Sequence, residues 1–147
     1  MKSIMYHYVR NYSSRFPYLN FLHYKNFEKQ IEYFKLHYKF FDCNDFSYFQ
    51  GHKPIKKKIF LTFDDGLSCH YKYVYKILKK NKINGIFYIP TSPFIKSEIL
   101  QPHKIHLILA KFGGLKACKV LEKNLSEKMI DQKKKNLFKL STYRNQN

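Results

Sequence analysis

One stretch limits the fold more than any other. Lys56 to Lys58 lead into Ile59-Phe60-Leu61-Thr62-Phe63, and Asp64-Asp65-Gly66 ends the run. The run is apolar on both alternating faces apart from Thr62, so a half-exposed strand does not suit it. A parallel strand covered on both sides does. Downstream, Tyr71, Val74, Tyr75 and Leu78 recur at helical spacing, Asn84-Gly85 turns the chain, and Ile86 to Ile89 reads as another strand. Strand, helix and strand at this spacing predict a right-handed βαβ unit with parallel strands. The expected class is therefore α/β.

The flanks add elements to this unit. Ser3 to Val9 reads as a short buried strand with His7 near its end. Asn26 can cap a helix running to about Tyr38, with Phe27, Ile31, Phe34 and Tyr38 on one face. Gly51 and Pro54 punctuate a loop, and Pro90 and Pro93 open another. Ile105, Ile108, Leu109 and Phe112 mark a further helical face, stopped by Gly113-Gly114. Leu115 to Leu125 reads as helix, and the stretch from Ser126 to Asn147 as a surface helix with a frayed end. The expected organisation is one body over 1–112 and a helical, partly frayed segment over 113–147.

Composition narrows the function classes. A chain of 147 residues with 44% hydrophobic and 18% aromatic content can build one cored domain. The net charge of +18 is almost all lysine, with arginine only at Arg10, Arg15 and Arg144. Dedicated nucleic-acid binders rely on arginine for bidentate contacts, and AT-rich codons alone favour lysine. No dedicated nucleic-acid partner is expected; a basic nucleic-acid-binding protein stays as an alternative, to be tested by the salt dependence of binding. No apolar run reaches the roughly 18 residues of a membrane span. His7 and Arg10 interrupt the first apolar segment, which makes it a poor signal peptide. Cys43, Cys69 and Cys118 are far apart, which suggests neither a disulfide framework nor a Cys-x-x-Cys metal site. A cytoplasmic location is the expectation.

Side chains of neighbouring strand residues point to opposite faces, so Asp64 and Asp65 would diverge if the strand continued. Gly66 lets the chain turn instead, which can bring both carboxylates to the rim of the sheet. Parallel α/β folds place their chemistry at the carboxyl ends of the strands. Two acids there serve best with separate tasks, one holding a divalent cation and one taking a proton from metal-bound water. The same tripeptide also fits a plain turn, with an aspartate capping the next helix.

The longer string Leu61-Thr-Phe-Asp-Asp-Gly66 resembles the first motif of the polysaccharide deacetylases, the NodB-like domains of carbohydrate esterase family four. Ile4 to Val9 (IMYHYV) is similar to that family's first strand, and Gly85 to Phe94 (GIFYIPTSPF) to the strand after the motif. His103 to Ala110 (HKIHLILA) resembles a segment of one intracellular branch. The resemblance covers roughly Ser3 to Phe112. It implies an irregular (β/α) barrel, here partial and followed by the helical tail. It implies a carbohydrate substrate and hydrolysis of its N-acetyl, sometimes O-acetyl, groups. Carried onto this chain, Asp64 matches the catalytic base and Asp65 a ligand of a divalent metal, usually zinc.

The pattern also breaks. The family's second motif, H-[ST]-x-x-H, supplies two metal-binding histidines, and nothing here matches it. The later R-x-P-type and Leu-x-His segments are absent too. A lone aspartate is a poor zinc site, because catalytic zinc takes three protein ligands and keeps one position open. His103 and His106 are candidate substitutes, three apart at a helix start after Pro102. Cys69 and His70 come just after the acids and are chemically capable ligands, while His7 and Gly66 are expected to line the site. His23, His37 and His52 read as surface residues. A barrel of this type needs on the order of 200 residues or more. The chain is therefore expected to be the N-terminal portion of a deacetylase, truncated and weak alone. The alternatives are a non-catalytic remnant, or half of a split enzyme completed by a separate C-terminal partner chain.

Overall fold

The computed structural model describes residues 2–42 and 58–124. The loop expected around Gly51 and Pro54, Cys43, His52 and the tail after Asn124 lie outside the described residues. Two compact units divide the chain, Met1–Lys111 and Phe112–Asn147. The first carries strands β1 (Lys2–Tyr6), β2 (Val9–Arg10), β3 (Leu22–His23), β4 (Lys39–Phe40), β5 (Lys58–Phe63) and β6 (Ile86–Phe87). Its helices are α1 (Tyr24–His37), a π-helical segment (His70–Tyr75) running into α2 (Lys76–Asn81), α3 (Ser92–Lys96) and α4 (Gln101–Phe112). Helix α5 (Gly114–Asn124) belongs to the second unit. No helix among the described residues is long and apolar enough to cross a membrane.

The apolar run becomes β5, the centre of a four-stranded parallel sheet. β1 pairs along one edge, from Lys2↔Ile59 to Tyr6↔Phe63. β4 and β6 share the other edge, β4 beside the start of β5 and β6 beside its end. β2 and β3 form a separate parallel pair. The result is a mixed α/β unit, and among the described residues the sheet does not close into a barrel.

Ile59, Leu61 and Phe63 alternate onto one face of β5 and are fully buried. Phe27 and Ile31 of α1 and Val74, Ile77 and Leu78 of the second helical stretch join them in one core. Aromatic rings join the layers: Tyr6 lies edge-on to Phe27 at 5.0 Å and stacks on Phe63 at 5.4 Å. The buried Tyr6 hydroxyl donates to Gln30 Oε1 at 2.8 Å, and burial pushes its pKa up to about 12.

Several boundaries differ from those read in the sequence. The first strand stops at Tyr6, and the strand expected over Ile86 to Ile89 covers only Ile86–Phe87. α1 starts before Asn26, because the His23 ring accepts the backbone N–H of Lys25 and serves as N-cap. On the second helix, Val74 and Leu78 face the core as expected, but Tyr71 and Tyr75 do not. They stack on each other outside at 5.7 Å, while His70 and Ile77 turn inward. The π turns advance the backbone by an extra residue per bond, so the buried stripe leaves the 3.6-residue spacing. On α4, Ile105 and Ile108 remain more than half exposed. That helix meets its unit through small, buried Ala110, whose carbonyl accepts the backbone N–H of Tyr18 at 2.9 Å.

Gly85 shows how tightly β5 and α2 pack. A Cβ there would come within 2.8 Å of Leu78 Cδ1 and 2.9 Å of Phe63 Cε2. Gly85→Ala is therefore expected to cost about 1–3 kcal/mol through overpacking. A thermal melt checks it, and a variant as stable as the parent would show that this packing is looser than described.

Candidate active site

The acid pair sits where β5 runs out. The ladder extends one rung beyond the strand, with Asp64 N–H donating to Tyr6 O at 3.0 Å and Tyr88 N–H to Phe63 O at 2.9 Å. The chain then reverses through two consecutive left-handed residues, Asp65 at φ 76° and Gly66 at φ 58°. Aspartate tolerates that region better than most residues, and glycine enters it without cost. A side chain at Gly66 would also lie 3.1 Å from Ile89 Cγ2. The turn places both acids at the carboxyl end of the parallel sheet, as their sequence position suggested.

Asp65 is the hub. Its Oδ2 accepts a hydrogen bond from His103 Nε2 at 3.0 Å, and His7 Nε2 lies 3.6 Å from the same oxygen. His7 comes directly after β1, whose last rung faces Phe63, so the sheet register carries it to the acids. His103 comes from the first turns of α4. Its side chain is only 14% exposed, against 27% for Asp65 and 37% for His7. His106 goes elsewhere: its Nδ1 shares a 3.3 Å hydrogen bond with the Tyr8 hydroxyl. Among the described residues, no hydrogen bond joins the Asp64 side chain to this cluster. Its Oδ1 is buried with no partner among the described residues.

His70 is a contributor whose place the sequence did not reveal. The π-helical segment turns it inward, where its Nε2–H donates to the backbone carbonyl of His7 at 2.6 Å. That bond leaves Nδ1 as the unprotonated nitrogen, buried without a partner among the described residues. Burial lowers the His70 pKa, and the ring packs edge-on to Phe63 at 5.6 Å. His70 thus supports the backbone of a residue beside Asp65 and is not part of the cluster itself. The neighbouring Cys69 thiol is buried, and burial pushes its pKa up, which disfavours the thiolate a metal requires.

The sign of the His70 shift sets an acid response. A histidine held neutral in the fold contributes stability that is present above pH about 6.5, its unfolded pKa, and is lost as pH falls toward its lower folded pKa. His70→Asn should lower stability at neutral pH by about 1–3 kcal/mol and show a smaller further loss on acidification than the parent. Denaturant titrations at neutral and mildly acidic pH check both. Parallel curves at both pH values would contradict this placement of His70.

The donor types around Asp65, one carboxylate and two imidazoles, suit a divalent cation. Their placement does not. The His103 N–H is spent on the carboxylate, and among the described residues no group of three His, Cys, Asp or Glu side chains is set to hold a metal ion. As they stand, the residues do not fit the metal that the resemblance implies.

Comparisons with known proteins agree with this fold. A search of curated proteins gives no match. Among solved structures, IcaB from Ammonifex degensii is similar over 62% of this chain and 38% of its own, with 25% identity and a TM-score of 0.50. The Streptococcus pyogenes deacetylase PplD, solved in complex with acetate, is similar over 75% of this chain and 52% of its own, with 19% identity and a TM-score of 0.55. The chain thus spans about half or less of the length of these structures. The family pattern described as polysaccharide deacetylase matches residues 51–131, more than half of the 147. With that match over a strand-end acid pair, the chain belongs to the polysaccharide deacetylase family.

Proposed function

We propose that the chain is a deacetylase-like hydrolase that removes acetyl groups from the nitrogen of a sugar or glycan precursor. The observation that carries the reading is the acid pair itself. A left-handed turn at Asp65 and Gly66 holds two carboxylates at the carboxyl end of the central parallel strand, within a matching family segment. Asp64 is the proposed base, taking a proton from the attacking water. Its buried Oδ1, with no partner among the described residues, leaves an acceptor for such a proton. Asp65 is proposed as the carboxylate of a divalent-cation site, zinc in the first instance. His103 is the neighbour able to join it, and His7 and Gly66 line the site. His106, bonded to Tyr8, is a weaker candidate. The described residues do not complete that site, so further ligands would have to come from elsewhere, including a separate C-terminal half.

The experiment is acetate release from N-acetylglucosamine oligomers with the purified chain, before and after chelation and on return of zinc. Release that chelator abolishes and zinc restores supports the whole reading. Release that survives chelation removes the metal and keeps the hydrolase.

A second reading has one observation in its favour. The His103–Asp65 hydrogen bond satisfies the carboxylate without a metal, as a non-catalytic sugar-binding remnant would allow. Sugar binding without acetate release under any metal supports that reading.

A further inference from the structure

The outer face of the second helical stretch has no part in the acid cluster. Its exposure recurs in pairs. Tyr71 and Lys72, Tyr75 and Lys76, and Lys79 and Lys80 reach solvent, while Val74, Ile77 and Leu78 between them are buried. Residues four apart on a helix are neighbours, so these pairs make two adjacent stripes. One stripe is Lys72, Lys76 and Lys80. The other is a ladder. The Tyr71 and Tyr75 rings lie 5.7 Å apart and 11° from parallel, and Lys79 Nζ sits 5.8 Å from the Tyr75 ring centre. The ladder ends on Tyr71, which is 72% exposed.

The charge around these rings is one-sided. No aspartate or glutamate occurs between Gly66 and Ser97, whereas five lysines fall between Lys72 and Lys82. Glu32 of α1 lies toward this helix, because its partner Lys35 also donates to Asn81 Oδ1 at 3.0 Å. The Lys35 ammonium, 3.2 Å away, already neutralises it. Among the described residues, no carboxylate pairs with Lys72, Lys76, Lys79 or Lys80. The face therefore calls for an anionic partner.

Shape narrows the choice. A second copy of this chain, also at +18, is repelled. A single nucleic-acid strand is held in a basic groove with aromatic rings along it, and it gains most from arginine, which this face lacks. A ring as open as Tyr71 stands clear of its neighbours on the convex side of a helix. Rings and ammonium groups at one level on a convex face fit an extended anionic surface with an apolar layer beneath it. Tyrosine suits that boundary, with its ring toward the apolar layer and its hydroxyl in water. Lysine stems lie along the same boundary and lift their charges to the headgroups.

We propose that the outer face of the helix from His70 to Asn81, with Lys72, Lys76, Lys79 and Lys80 around the Tyr71–Tyr75 pair, docks the protein reversibly on an anionic phospholipid bilayer. The lysines supply the attraction, and the tyrosine pair supplies the part that salt does not screen. Docking is independent of the hydrolase reading, because His70 and Val74 of the same segment turn inward, away from this face.

Co-sedimentation of the full chain with vesicles tests this. The probes are phosphatidylcholine alone and phosphatidylcholine with about one-third phosphatidylserine. Each lysine near an anionic surface is worth about fivefold in affinity. The expected result is binding to the anionic vesicles at least about tenfold tighter than to the neutral ones. The triple variant Lys72→Gln, Lys76→Gln, Lys80→Gln should weaken it by at least about tenfold. The double variant Tyr71→Gln, Tyr75→Gln keeps the charge and should also weaken it, by several-fold and still so at raised salt. The control removes three exposed lysines from α5, with Lys116→Gln, Lys119→Gln and Lys123→Gln, and should lose clearly less. All these side chains are exposed, and thermal melts confirm that the variants stay folded. Equal binding to both vesicles, an equal loss in the α5 control, or indifference to the tyrosine pair overturns the docking face. So does binding to a single-stranded oligonucleotide that is as tight as to the anionic vesicles and weakened by the same variants, which would assign the face to nucleic acid.

Discussion

Asp64→Asn is expected to lower kcat for N-acetyl hydrolysis by about 10²–10⁴, the usual contribution of a positioned general base, and to leave KM nearly unchanged. The side chain keeps its size and its place at the end of β5, where the backbone bond from Asp64 N–H to Tyr6 O holds the turn. What is lost is the ability to accept a proton. Asp65→Asn should behave differently. Its Oδ2 accepts from His103 Nε2 at 3.0 Å and lies 3.6 Å from His7 Nε2, so the substitution perturbs the placing of both rings beside the acid pair. If the proposed cation site forms, that variant should lose metal affinity as well as rate, whereas Asp64→Asn should keep the affinity. Steady-state kinetics with a parallel metal titration separates the two roles. An unchanged kcat in both variants would show that the acid pair is not the reacting centre.

The largest expected effect on stability is at Phe63. Phe63→Ala should cost about 3–5 kcal/mol, as for other buried phenylalanines, and lower Tm by more than about 10 °C in a unit of this size. Phe63 is fully buried, and its ring meets Tyr6, Phe27, Phe87 and His70, with the Phe87 ring stacked 4.9 Å away. It is also the residue next to Asp64, so the cavity would open directly beneath the acid turn. Phe60, on the other face of β5 and only partly buried, gives the comparison: Phe60→Ala should cost clearly less. Thermal melts of the two variants decide the matter. Equal losses would mean that the core does not centre on the face described.

The sequence was most informative where chemistry and packing coincide locally. A run apolar on both faces apart from Thr62 pointed to a covered strand, and the acids and glycine after it to a turn at its end. Long-range pairings were less legible. His103 reaches Asp65 across 38 positions, and His103 and His106, neighbours on one helix face, part company because Tyr8 captures the second ring. The π-helical segment defeated the periodicity argument. Its register exposes Tyr71 and Tyr75 and buries His70, and no spacing rule for an α-helix anticipates that. His23 read as a surface histidine, yet its ring caps α1, since histidine is an uncommon cap.

The most direct test of the central claim is hydrolysis in oxygen-18 water. The purified chain is given the N-acetylglucosamine tetramer and a divalent cation, and acetate and free amine are tracked by mass spectrometry. The account predicts acetate carrying a single labelled oxygen, formed in step with free amine and suppressed by Asp64→Asn. Labelled acetate that persists undiminished in that variant would contradict it.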